Sequence, residues 1–214
     1  MAERLPGLFV TFEGGEGAGK TTQIALLREA LTRDGLHVTV TREPGGDAVG
    51  EVIRELILRN KMTARTELLL FLAARAENVE QIIRPPLEAG DVVLCDRFID
   101  SSLAYQSYGR GLARETVAQL NAFATGGLVP DVTVLLDLPP EIGLARQSDS
   151  NRMEAETLEF HWRVREGFLT EAAKHPARFL ILDALRPVEA LHAEIVARVR
   201  HAWNERRSIL EEME

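Results

Sequence analysis

Gly14-Gly15-Glu16-Gly17-Ala18-Gly19-Lys20-Thr21 is the stretch whose reading decides the fold of this chain. It fits the phosphate-binding pattern G-x-x-x-x-G-K-[ST]. Upstream, Gly7-Leu8-Phe9-Val10-Thr11-Phe12 is a mostly apolar run that reads as a buried strand. Downstream, the segment from Thr22 to Leu31 carries Ile24, Leu27 and Leu31 at spacings of three and four and reads as a helix. Strand, glycine-rich loop and helix together are the setting in which this motif has a mechanism. Backbone N–H groups close round a polyphosphate only where no Cβ holds the chain away. The helix N-terminus adds its positive dipole end. Lys20 supplies a charge for the outer phosphates, and Thr21 a hydroxyl for Mg²⁺. The expected triphosphate site is therefore Gly14, Gly15, Glu16, Gly17, Ala18, Gly19, Lys20, Thr21 and Thr22. The loop alone leaves the fate of the nucleotide open.

Outward from the loop, strand-like runs alternate with amphipathic helices. The strands are read at His37–Thr41, Val92–Cys95, Val132–Leu136 and Arg178–Leu182. A helix is expected from Ala48 to Arg59 with Val49, Val52, Ile53 and Leu56 inward, and a longer one from Thr66 towards Ile83, stopped by Pro85-Pro86. Phe98 to Gly111 reads as a polar, aromatic loop, and helices follow over Arg114–Ala124, Glu141–Arg146 and Thr157–Ala173. The last helix carries Val188, Leu191, Ile195, Val199 and Ala202, and the tail from Glu211 to Glu214 reads as frayed. The pattern gives an α/β class with a five-stranded parallel sheet flanked by helices, in one domain over residues 1–214. Such sheets bind ligands at the carboxyl ends of their strands. The glycine-rich loop, Arg42-Glu43-Pro44 and Asp96-Arg97 all fall at such ends, so they are expected to meet over one crevice.

Composition narrows the function classes. The 214 residues are 45% hydrophobic and carry a formal net charge of −8, which argues against a general nucleic-acid surface. The one cysteine, Cys95, excludes a disulfide framework. No apolar run reaches membrane-spanning length, and Met1 to Gly7 has no signal-peptide pattern, so a cytoplasmic protein without membrane contact is expected. His37, His161, His175, His192 and His201 show no metal-ligand spacing.

Asp96, ending an apolar run, reads either as an acid holding Mg²⁺ directly or through water, or as a strand-terminal partner of Arg97. Arg97 has the planar fork suited to phosphate. Phe71 and Arg75 lie four apart on one helix face; the ring reads as core or as a ligand platform, and a lone core arginine would be costly. Tyr105 and Gln106 sit in the polar segment, where pure packing is less natural, and Ser101 and Ser102 carry little signal alone. Arg146 and Arg152 flank Gln147-Ser148-Asp149-Ser150-Asn151, a polar run able to fold over a triphosphate.

In order and spacing, four blocks resemble the bacterial thymidylate kinases over nearly the whole chain. They are Phe12 to Gln23; Thr41-Arg42-Glu43-Pro44-Gly45-Gly46; Leu70-Phe71-Leu72-Ala73-Ala74-Arg75-Ala76; and Asp96-Arg97-Phe98 with Ser101-Ser102-Leu103-Ala104-Tyr105-Gln106. The resemblance implies the P-loop NTPase fold, a dTMP kinase working with Mg-ATP in dTTP biosynthesis, and a homodimer. It implies that Glu16 binds the sugar 3′-hydroxyl, Phe71 stacks on thymine, Arg75 donates to O4, and Tyr105 crowds the 2′ position. Arg42 and Arg97 are implied binders of the acceptor phosphate. Glu43, Pro44, Ser101, Ser102 and Gln106 are implied to complete the dTMP site, Thr21 and Asp96 the metal site, and Asp183-Ala184 to Pro187 the adenine side.

The phosphate loop holds Glu16, Gly17 and Ala18, with no arginine, so the resemblance implies a lid over about residues 146–154 with Arg146 and Arg152 as catalytic candidates beside Lys20, Arg97 and Glu16. The segment departs from lid-type relatives in having Asn151 where they carry Asp, and fewer arginines. Two other readings stay open on residues alone: a kinase for another nucleoside monophosphate, and a P-loop switch ATPase acting through a protein partner.

Overall fold

A computed structural model describes residues 6–146 and 152–213. Five strands, β1 (Leu8–Glu13), β2 (Val38–Arg42), β3 (Val92–Asp96), β4 (Val132–Asp137) and β5 (Phe179–Asp183), form one sheet in the order β2-β3-β1-β4-β5. Every pairing is parallel, with Val10 opposite Leu94 on one side and Val132 on the other. β1 is central and wholly buried, so apolar side chains sit on both of its faces, and its two polar residues, Thr11 and Glu13, are buried with partners. Leu8, Val10 and Phe12 pack towards α1 (Lys20–Arg33) and α9 (Val188–Met213) through Leu27, Leu31, Leu191 and Ile195. Phe9, Val93 and Cys95 face Val79, Ile83, Leu87 and Phe98 on the opposite side. Each fully buried Leu or Phe in these layers is worth about 1.5–3 kcal/mol.

The remaining helices are α2 (Ala48–Arg59), α3 (Ala64–Asn78), α4 (Arg84–Glu88), α5 (Ile99–Ser102), α6 (Arg114–Thr125), α7 (Pro140–Ala145) and α8 (Leu158–Lys174). Asp47, Thr63 and Thr157 cap α2, α3 and α8 by accepting from first-turn amides. α6 ends where Gly126 takes φ 58°.

Four expectations are corrected. The buried face of α2 is Gly50, Ile53 and Ile57; Val49, Val52 and Leu56 are 51%, 64% and 46% exposed. Period alone does not say which of two adjacent apolar stripes meets the core. Pro85-Pro86 does not stop the chain: α3 passes into a π-helical turn over Val79–Ile83, and the prolines sit in the first turn of α4, where their missing N–H groups cost little. The stretch from Phe98 to Gly111 is mostly helical, as α5 and a π-helical segment over Leu103–Gly109, and most of it is buried. Its hydroxyl and amide side chains find partners inside the protein, so polarity there did not mean solvent. Of the tail read as frayed, Glu211 to Met213 belong to α9, and Glu214 lies outside the described residues.

Candidate active site

Three strand ends converge above the sheet. Beyond β2, the Glu43 N–H donates to the Asp96 carbonyl; beyond β3, the Arg97 N–H donates to the Phe12 carbonyl. This knits the segments after β1, β2 and β3 side by side. The glycine-rich loop then turns into α1 at Gly19 (φ 91°), and no side chain caps the helix there, so its first-turn amides are left for an anion. Gly17 and Gly143 let the loop rest on α7: a Cβ on either would overlap the other segment's carbonyl oxygen, that of Gly143 or of Glu16.

A cavity of about 340 Å³ lies over this loop, lined by Glu16 to Thr22, Arg42, Glu43, Arg54, Asp96 and Arg97. Lys20 Nζ donates to the carbonyls of Gly14 (3.3 Å) and Gly15 (3.1 Å). Burial and the neighbouring Arg97 push the Lys20 ammonium below its usual range, while Asp96, Glu16 and Glu13 oppose that. Asp96 Oδ1 is buried without a hydrogen-bond partner, and Thr21 lines the same cavity. One carboxylate and one hydroxyl suit Mg²⁺ that takes its other ligands from phosphate and water.

Arg97 is the single non-glycine of positive φ (71°) among the described residues. That conformation costs on the order of 1–3 kcal/mol and persists only where neighbours enforce it. Here Glu13 does so, accepting from the Phe98 N–H (2.8 Å) and the Ser101 hydroxyl (2.5 Å). Burial, then repulsion from Asp100, raises the Glu13 carboxyl to about 8. So held, Arg97 donates to the Gly14 carbonyl (3.1 Å) and to Glu16 Oε1 (2.9 Å), where the Tyr105 hydroxyl also donates (2.8 Å). Burial would raise Glu16, but Arg97 and Lys20 outweigh it and hold the carboxyl at about 2.

A second cavity, about 130 Å³, shares Glu16, Glu43, Arg54 and Arg97 with the first. Its own walls are Pro44, Leu58, Phe71, Ser101, Ser102, Tyr105, Gln106, Met153 and Glu154. It is mixed aromatic and polar, and it opens beside the glycine-rich loop, so the two cavities form one continuous candidate ligand site.

A family model described as thymidylate kinase matches residues 12–195. A thymidylate kinase of Synechococcus sp. (strain JA-3-3Ab) is 56% identical over 178 residues, covering 83% of this chain and 87% of that protein. One of Deinococcus radiodurans is 52% identical over 198 residues, covering 90% and 96%. The crystal structure of thymidylate kinase from Ehrlichia chaffeensis superposes with a TM-score of 0.75 at 36% identity, covering 89% of this chain and 97% of that one. The chain belongs to the thymidylate kinase family.

Within this thymidylate kinase fold the expected site residues separate into groups. Glu16, Glu43, Pro44, Phe71, Arg97, Ser101, Ser102, Tyr105 and Gln106 line the second cavity. Arg42 lines the first, exposed and paired with Glu51 at 3.0 Å. Arg75 is on neither wall. It lies beneath, 1% exposed, with Nε on Glu43 (2.7 Å), Nη1 on Ser102 (2.9 Å) and Asn121 (2.5 Å), and Nη2 on the Phe98 carbonyl (2.9 Å). Arg146 Nη1 reaches the Gly17 carbonyl at 2.9 Å, beside the phosphate loop. Arg152 instead reaches α2 and α3, with Nε on the Ile57 carbonyl (2.8 Å) and Nη2 on Glu67 (2.7 Å). Of the expected lid, residues 147–151 lie outside the described residues. The turn after β5 packs near α1, where Gln23 Nε2 donates to the Val188 carbonyl.

Arg54 and Glu13 escaped the sequence reading. Arg54, anchored on the Pro44 carbonyl at 2.9 Å, lines both cavities. Burial and the adjacent Arg42 push its guanidinium down, as a cluster of cations awaiting anions would. On a helix with charges on most turns it carried no signal beyond its spacing from Gly50 and Ile57. Cys95 is a buried free thiol whose Sγ contacts the Arg97 carbonyl.

Proposed function

We propose that this protein transfers the γ-phosphoryl group of Mg-ATP directly and in line to the phosphate of dTMP. As a member of its family it is a dTMP kinase, a phosphotransferase of nucleotide biosynthesis. The observation that carries the mechanistic reading is the common wall of the two cavities, Glu16, Glu43, Arg54 and Arg97. A donor phosphate on one side and an acceptor phosphate on the other would meet there, so no covalent enzyme intermediate is needed. Positioning and charge neutralisation supply most of the catalysis of such transfers.

In this reading the α1 amides and Lys20 hold the donor phosphates. Arg97 spans donor and acceptor, and Arg42 exchanges Glu51 for the acceptor phosphate. Arg146, nearest the loop of the two lid arginines, neutralises charge on the transferring group. Thr21 and Asp96 would hold Mg²⁺, which supplies further neutralisation of the β- and γ-phosphates when bound. Glu16, kept ionised, accepts from the sugar 3′-hydroxyl; Tyr105 fills the 2′ side; Phe71 stacks on the base. Arg75 has one Nη2 N–H left over for O4 and otherwise braces the pocket from below. Asp183 to Pro187 form the adenine side.

Among the described residues no helix is long and apolar enough to cross a membrane. We place the enzyme's work in the cytoplasm and its homodimer contact on α2 and α3, where Val49, Val52, Leu56 and Leu69 leave an exposed apolar face. Coupled ADP release with Mg-ATP and a panel of monophosphates tests the function. The expected order is dTMP, then dUMP, with dCMP, dGMP and the ribose analogue far behind. One buried methyl separates the first two by only about 1–3 kcal/mol. A panel led by dCMP or dGMP would overturn the acceptor assignment.

A further inference from the structure

Glu67, on α3, is an acid that the cavity walls do not include, yet it is 1% exposed and gathers three side chains. Oε1 accepts from Gln106 Nε2 (3.0 Å) and Arg110 Nε (3.1 Å); Oε2 accepts from Arg110 Nη2 (3.1 Å) and pairs with Arg152 Nη2 (2.7 Å). An ionised carboxylate only accepts hydrogen bonds. Burial would raise the Glu67 carboxyl, but the bonds from Arg110, Gln106 and Arg152 outweigh it and keep it below the usual range. The Gln106 amide has two chemically opposite ends, and only its NH₂ end satisfies Glu67. Its oxygen must therefore turn the other way. Gln106 lines the nucleoside cavity, and no described residue donates to its Oε1.

We propose that Glu67 is a positioning residue that locks the Gln106 amide with its oxygen towards the nucleoside cavity, so that the cavity selects a base edge presenting an N–H. This rests on the nucleoside monophosphate reading above. A pyrimidine imide such as thymine carries that N–H at N3. Cytosine carries a lone pair at N3, which would face the Gln106 oxygen acceptor to acceptor. Without Glu67 the amide could rotate and offer its NH₂ group to cytosine instead. The charge at the back of the pocket thus becomes a choice of base at the front, without touching the ligand.

The test is calorimetric binding of dTMP and of dCMP to the full chain without ATP, so that turnover plays no part. Wild type is expected to prefer dTMP by at least a hundredfold. Glu67→Gln should narrow that ratio at least tenfold, because an amide at 67 accommodates either orientation of Gln106. Gln106→Met should narrow it by a similar factor with Glu67 untouched, which keeps the test decisive should Glu67→Gln fail to fold. Arg152→Ala removes a cation from the same carboxylate but leaves the Glu67–Gln106 bond; it should weaken both ligands equally and preserve the ratio. An unchanged ratio in Gln106→Met, or in folded Glu67→Gln, overturns the proposal. So does a ratio that Arg152→Ala narrows as much as Glu67→Gln does. Absence of dTMP binding in wild type would instead sink the dTMP reading itself, and the orientation proposal with it.

Discussion

Replacing Arg75 by Met removes the cation beneath the acceptor pocket while keeping much of its volume. Arg75 holds Glu43 at 2.7 Å, and the carboxylate is 4% exposed. In the variant its remaining side-chain donor is Asn78 Nδ2 at 3.3 Å. Breaking a buried ion pair from one side costs about 3–5 kcal/mol, because the surviving charge is left uncompensated. Burial already raises Glu43 above the ordinary carboxylate range, and Arg75 is the leading opposing influence. Without Arg75 the folded carboxyl rises further and keeps a proton that the unfolded chain releases near its ordinary value of 4.5. A group raised on folding contributes stability that is complete below the unfolded value and is lost as pH climbs through the folded one. The variant's deficit must therefore grow with pH, at up to about 1.4 kcal/mol per unit until Glu43 ionises. Urea unfolding of both proteins, at about pH 5 and about pH 8, reads this directly. Arg75→Met should lose about 3–5 kcal/mol at the higher pH and clearly less at the lower. Arg75→Met/Glu43→Gln should recover part of the loss at the higher pH. A deficit below about 1 kcal/mol, or one equal at both pH values, would refute the argument that this pair bears the cost of the buried charge.

Other perturbations address the chemistry and the assembly. Lys20→Ala should nearly abolish phosphoryl transfer while circular dichroism and the melting temperature stay close to wild type; a folded variant with near-normal turnover removes the loop from the active site. Arg146→Ala should lower kcat with little change in KM for dTMP. Arg152→Ala should chiefly raise that KM and lower the melting temperature, since its bonds to Glu67 and the Ile57 carbonyl are structural; the reverse pattern would exchange their roles. Glu13, raised to about 8 from 4.5, contributes stability that fades as pH rises through that window. Glu13→Gln, which resembles the protonated acid, should flatten the denaturation midpoint between about pH 5 and pH 9, and an unchanged slope would remove Glu13 as its source. Val52→Glu places a charge on the exposed face of α2 proposed as the dimer contact, and sedimentation should report a dimer for wild type and a monomer for the variant; a wild-type monomer, or a dimeric variant, would remove that contact.

The sequence alone determined the elements that local chemistry dictates. A mostly apolar strand, a loop that needs positive φ at its glycines and a helix with a three-four stripe leave few choices, so β1, the phosphate loop and α1 were legible. So was the convergence of Arg42-Glu43-Pro44 and Asp96-Arg97 on that loop, because parallel order alone puts strand ends at one edge. The family blocks added names for the pocket residues that spacing could not supply. Only the tertiary structure decided what depends on neighbours distant in sequence. Arg75 is a brace because Glu43, Phe98, Ser102 and Asn121 arrive around it from three other segments. The polar run after Phe98 is buried helix because Glu13, Glu67 and Glu171 meet its Ser101, Gln106 and Tyr108 from elsewhere in the chain. Val49, Val52 and Leu56 face outward because Ile53 and Ile57 took the place against α3. Arg54 became part of both cavities only when α2 folded back over the loop. In each case the sequence gives the side chain and its local period, and the cost of leaving a charge or an apolar face unpartnered is settled by residues outside that local period, as Glu43 does for Arg75 from 32 positions away and Glu67 for Gln106 from 39.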